Sequence, residues 1–232
     1  MERAQYALLA VALAVPAVAW RLPGPWFWVA MALGFGAAAA LAAWALQDEG
    51  QLRAAFTYQA GDPTLAFVVA VGLYLPLWLV VTRWVAPNNL LQLCAADGVF
   101  IPRPDEVGFG RFLELVRVQS CEAYGRTAYL KGLKLGLGAA LVAALEELAW
   151  RGGVQQALSQ RLGSTRGWLA ASGLYALSLL ATGNLVVAAL ALLGGLAWGA
   201  LYRFRGGLLS CVLAHALFVW ILLFVRPVLA LR

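Results

Sequence analysis

Seven apolar stretches follow one another along the chain: Tyr6–Trp20, Trp26–Leu46, Leu65–Trp84, Leu133–Trp150, Gly167–Thr182, Leu185–Tyr202 and Gly207–Val225. A hydrocarbon core about 30 Å thick is crossed by roughly 20 apolar residues in an α-helix. Lipid offers no partner to a peptide group, so such stretches must satisfy their backbones internally, as helices do. The predicted class is all-α: a polytopic transmembrane helical bundle of about seven spans, with an interfacial amphipathic helix beside it. Composition agrees, because 63% of residues are hydrophobic and only 12% charged, about half the charged share of a soluble domain.

The pattern divides the chain into residues 1–84, N-terminal transmembrane helices; 85–130, a polar and amphipathic connecting segment; and 131–232, a second helical core. Arg21-Leu22-Pro23-Gly24-Pro25 breaks the first two spans, since proline cannot donate and glycine permits the turn. The middle segment opens with Pro87-Asn88-Asn89 and carries Pro102 and Pro104 around Arg103. From Arg111 to Lys134, basic residues (Arg111, Arg117, Arg126, Lys131, Lys134) interleave with Phe112, Leu113, Leu115, Val116 and Tyr129. That pattern suits a helix lying in the membrane interface and, equally, a solvated connector.

The net charge of +6 is scattered between apolar blocks, which fits anionic lipid headgroups and not nucleic acid. Trp20, Trp26, Trp28, Trp84, Trp150, Trp168 and Trp220 fall near block ends, the places of an aromatic belt. Cys94, Cys121 and Cys211 show neither metal-ligand spacing nor a disulfide framework, and Cys211 reads as a packing residue. Gly136, Ala140 and Ala144, and the pair Gly195 and Gly199, are spaced for close helix contact.

Against this background, Glu146-Glu147-Leu148-Ala149-Trp150-Arg151 stands out. Ionisable groups at membrane depth are costly, face the protein interior and mark functional sites. Glu147 and Arg151 are four apart and share a helix face, whereas Glu146 is rotated by roughly 100°. Arg151 can hold Glu147 charged while Glu146 serves as a general base. The competing reading is a helix end whose three side chains snorkel to water. His215, the only histidine, lies inside the last apolar stretch and needs a polar partner, for which the two glutamates are the best placed. With them it can orient a water or steady an oxyanion. No His-Glu-x-x-His pattern is present, so no metal and no other cofactor is predicted.

These residues resemble the CPBP family of intramembrane glutamic endopeptidases, which includes CAAX-processing proteases and bacterial Abi proteins. Its pattern is Glu-Glu-x-x-x-Arg, then Phe-x-x-x-His, then His-x-x-x-Asn, and the resemblance runs from about Lys131 to Val225. Glu146, Glu147 and Arg151 match the first element and His215 opens the third. Leu179 stands where the second element has His, and Val219 where the third has Asn. The resemblance implies catalytic roles for Glu146, Glu147, Arg151 and His215, with Tyr175, Ser178, Leu179 and Val219 around the cavity. Tyr175, Ser178 or Asn184 would lend the missing polarity.

It implies a metal-independent endopeptidase of the bacterial inner (cytoplasmic) membrane, acting on a membrane-anchored peptide or protein near its anchored segment. C-terminal sorting or anchoring signals would be its substrates. Two other readings stay open: a non-catalytic scaffold or immunity protein of the same family, and a proton-coupled transporter.

Overall fold

A computed structural model describes residues 2–47, 56–80, 83, 108–126 and 133–222. The described residues are all-helical: α1 (Glu2–Trp20), α2 (Pro25–Gln47), α3 (Asp62–Val80), α4 (Phe109–Gly125), α5 (Leu133–Glu147), a π-helical segment (Leu148–Gln155), α6 (Gln156–Leu162), α7 (Ser164–Leu180), α8 (Leu185–Arg205) and α9 (Leu209–Trp220). The Pro87-Asn88-Asn89 break, Pro102 to Pro104, Trp84, Cys94, Tyr129 and Lys131 lie outside the described residues.

Each boundary has a local cause. Pro25 opens α2, where a missing N–H costs nothing. Asp62, the first residue of α3, holds the turn before the helix by accepting from Gln59 N at 2.8 Å. Asn184 caps α8 by accepting from Val187 N at 3.0 Å, and Gly206 ends it in the left-handed region at φ 69°, the usual conformation of a helix-terminating glycine.

Four helices are long and apolar enough to cross a membrane: α1, α2, α3 and α8. These four, rather than seven, are the spans that length and composition establish among the described residues; α9 is a shorter apolar helix. Ala12, Phe35, Ala38 and Ala42 are fully buried between α1 and α2. The closest helix pairings are α7 with α8, α1 with α2, and α3 with α9. A Cβ on Gly195 would stand 3.2 Å from Ser172 Cα, so the glycine lets α7 and α8 approach as the spacing suggested.

One boundary departs from expectation. The stretch read as ending at Trp150 continues unbroken through the π-helical segment and α6 to Leu162, stopping only at Gly163 with φ 84°. Glu146, Glu147 and Arg151 therefore lie in mid-helix, not at a helix end. Gly153 helps seat this segment: a Cβ there would lie 2.5 Å from Leu8 Cδ2 and 2.9 Å from Ala42 Cβ, so only glycine lets α1 and α2 pack so closely.

Trp150 accordingly belongs to the core (1% exposed), not to an aromatic belt, whereas Trp26 is 62% exposed. Cys121 is buried and disulfide-bonded, which corrects the reading of three unpaired cysteines. Cys211 is free and buried, as a packing residue would be. The C-terminal half of α4 is tied down: Glu122 accepts from Trp20 Nε1 at 2.7 Å, and Gln119 Oε1 accepts from Leu185 N at 2.9 Å. Its N-terminal half presents Phe109, Phe112 and Leu115 outward.

Candidate active site

Glu146 and Glu147, the last residues of α5, are 6% and 0% exposed, and Arg151 and His215 are 2% and 6%. Four ionisable groups are thus sealed inside an apolar bundle, and the snorkelling reading does not describe them. Gly194, nine residues into α8, sits beside Arg151, about 14 Å along a helix some 30 Å long. The cluster lies near the middle of that span.

The two glutamates divide as their rotation about the helix requires. Glu147 Oε1 stands 3.2 Å from Arg151 Nη1 in an ion pair and 2.8 Å from His215 Nδ1. A carboxylate is an acceptor only, so Nδ1 carries the hydrogen in this contact and Nε2 faces the other way. That face is Glu146: its Oε2 is 3.9 Å from His215 Nε2 and accepts from Tyr175 Oη at 2.8 Å. A gap of 3.9 Å is too long for a direct hydrogen bond. One water beside it, about 2.8 Å from each atom, can touch both.

Aromatic rings form the walls. Trp198 stacks on His215 at 3.8 Å between centroids and 17° between planes. The Arg151 guanidinium lies 5.0 Å from the Tyr175 ring centroid and 5.5 Å from that of Trp198, the range of cation–π attraction. Trp150 packs on Tyr175 at 5.1 Å. With rotation blocked by Glu147 on one edge and Trp198 on one face, the imidazole has a single orientation.

The remaining expected positions fall as follows. Ser178 is buried but donates to Tyr175 O in its own helix at 2.7 Å. Asn184 binds Gln119 O and Glu122 as well as capping α8, and so joins α4 to α8 rather than to the glutamates. Leu179 is buried one turn beyond Tyr175, and Val219 is partly buried one turn beyond His215. Of the three groups named as substitutes for the missing polar residues, Tyr175 alone contacts Glu146 or Glu147 among the contacts of the described residues.

Trp198 and the Gly194 carbonyl were not singled out from the sequence. The one available signal was a tryptophan in mid-span between Gly195 and Gly199, away from any headgroup position.

The model of the type II CAAX prenyl endopeptidase Rce1-like family matches residues 130–221. No curated protein and no solved structure matches the chain. The matched segment spans α5 to α9 and holds Glu146, Glu147, Arg151, Tyr175, Trp198 and His215. Residues 130–221 are thus similar to the Rce1-like family of type II CAAX prenyl endopeptidases.

Proposed function

We propose that the protein is a metal-independent glutamic endopeptidase of the bacterial inner membrane, cleaving a peptide bond next to a membrane-anchored segment. The observation that carries this reading is the pair of contacts that Glu146 and Glu147 make with opposite edges of one imidazole, at 3.9 and 2.8 Å. In the proposed reaction Glu146 takes a proton from a water held between its Oε2 and His215 Nε2. The oxygen so activated adds to the scissile carbonyl, and the charge that forms on the carbonyl oxygen is met by a donor in a dry site, where donors are most effective. The C–N bond then breaks; the water oxygen stays with the new carboxylate and the proton passes from Glu146 to the leaving amine.

Glu147, neutralised by Arg151, fixes the ring of His215 and stabilises it when protonated. Tyr175 donates to the same Oε2 of Glu146 and so fixes the carboxylate beside His215 Nε2. Leu179 and Val219 keep two sides of the site apolar, which suits a substrate that arrives from the lipid. A C-terminal sorting or anchoring signal meets that requirement, being both extended and tethered.

The test is cleavage in nanodiscs of two tethered peptides, one with a prenylated C-terminal cysteine motif and one anchored by an apolar helix. Cleavage of either, abolished by Glu146→Gln and insensitive to chelators, is the expected result. Inertness toward both, with a folded protein, would favour a non-catalytic member of the family.

A further inference from the structure

Each bond hydrolysed consumes one water, yet Glu146 and Glu147 are shut off by apolar packing. Glu147, Arg151, Gln155 and Ser159 recur every four residues from α5 through the π-helical segment into α6. Side chains at that spacing share one helix face. Glu147, Arg151 and Gln155 are buried, a run of polar groups inside the bundle. Beyond them a cavity of about 370 Å³ opens at the bundle end, lined by Gln155, Gln156, Ser159, Gln160, Tyr202 and Arg203 among others. Such a wall holds water, which needs several polar partners at each position.

Gln155 is where cavity and interior meet. Its Nε2 donates to Gly199 O at 2.9 Å. Gly199 leaves just enough space: a Cβ there would lie 2.8 Å from Gln155 Oε1 and 2.5 Å from Trp168 Cδ1. On the inner side, Glu147 Oε2 is buried without a hydrogen-bond partner among the described residues, and Arg151 Nη1 has only its ion pair with Glu147 Oε1 at 3.2 Å. Buried polar atoms in that condition are costly unless water reaches them. The π-helical stretch that spaces Arg151 from Gln155 is itself a conformation found at functional sites.

We infer that the column Glu147–Arg151–Gln155–Ser159 conducts water from this cavity to the glutamates, with Gln155 as its constriction. The inference deepens the hydrolytic reading and rests on it for its purpose, though not for its test. Hydroxyl radicals generated by a brief X-ray pulse label oxidisable side chains that lie beside water. In the intact protein in nanodiscs, Tyr175, Trp198 and His215 should be labelled despite their burial. Gln155→Leu should lower that labelling several-fold while leaving Tyr202, in the cavity wall, unchanged; Gln155→Asn should restore most of it.

Misfolding would raise interior labelling and expose Phe35 and Trp150, so it is not mistaken for closure of the route. Interior residues unlabelled in the wild type, or labelled equally in Gln155→Leu, would overturn the inference. Where the wild type cleaves peptide, Gln155→Leu should lower kcat with KM unchanged. If the wild type cleaves nothing, the proposed function fails and the labelling still decides the route.

Discussion

Two arginine–carboxylate pairs of this molecule, Arg205 with Asp62 and Arg151 with Glu147, are built differently. At the bundle end, Arg205 of α8 meets Asp62 of α3, donating through Nε at 3.0 Å while its Nη2 also reaches Ala60 O at 2.9 Å. Asp62 also accepts from Gln59 N in the turn before its helix, and Gln59 Nε2 donates to Arg205 O. Both carboxylate oxygens of Asp62 are thus engaged, and three of these contacts involve backbone atoms. In the middle of the bundle, Arg151 Nη1 meets Glu147 Oε1 at 3.2 Å in an ion pair, while Glu147 Oε2 lacks a hydrogen-bond partner among the described residues.

The first pair is a clasp between two helices. The second holds charge in a place where charge is costly and leaves Glu147 Oε2 without a hydrogen-bond partner among the described residues.

The comparison can be broken in four places. Arg151→Ala should have the largest effect, because it strands Glu147 in the apolar interior; the loss of stability should be about 3–5 kcal/mol. Thermal unfolding in detergent measures it, and an unchanged Tm would make Arg151 no more structural than a surface residue. Glu146→Gln keeps the shape of the side chain and removes the base. Cleavage should fall on the order of a hundredfold or more with Tm unchanged; near-normal turnover would move the base to Glu147.

Tyr175→Phe deletes one hydrogen bond to a carboxylate, worth about 1.5–3 kcal/mol to charged groups, so kcat should drop by about tenfold while the fold is kept. Normal kcat in this variant would show that Tyr175 only packs. Arg205→Ala should have the smallest effect. Its side chain is 25% exposed, and the buried Asp62 left behind keeps its bond from Gln59 N, so the loss should fall below the about 3–5 kcal/mol of a fully buried pair. A slight fall in Tm without loss of cleavage is expected; a loss of cleavage would mean the clasp also sets the geometry of the site.

Much of this was legible in the chain. Apolar stretches imply helices in lipid because the backbone has no alternative, and α1, α2, α3 and α8 follow that rule directly. Glu146, Glu147, Arg151 and His215 stood out because ionisable groups are rare in such surroundings, and the structure links them in a row, Arg151 to Glu147 to His215 to Glu146. Other features depend on helices that are distant in sequence.

Whether Glu-Glu-Leu-Ala-Trp-Arg ends a helix or lies within one is decided by packing of Gly153 against Leu8 and Ala42, residues more than a hundred positions away. Tyr175 was one of three plausible polar substitutes, and Ser178 and Asn184 were equally plausible by spacing; only the facing of α7 toward α5 selects it. Trp198 closes over His215 because Gly195 and Gly199 let α8 lie tightly on α7 and the π-helical segment. A sequence determines which groups cannot tolerate lipid, since that is a property of each residue and its neighbours. Which of those groups meet is determined by how helices approach, and that is settled by the shapes of residues far apart in the chain.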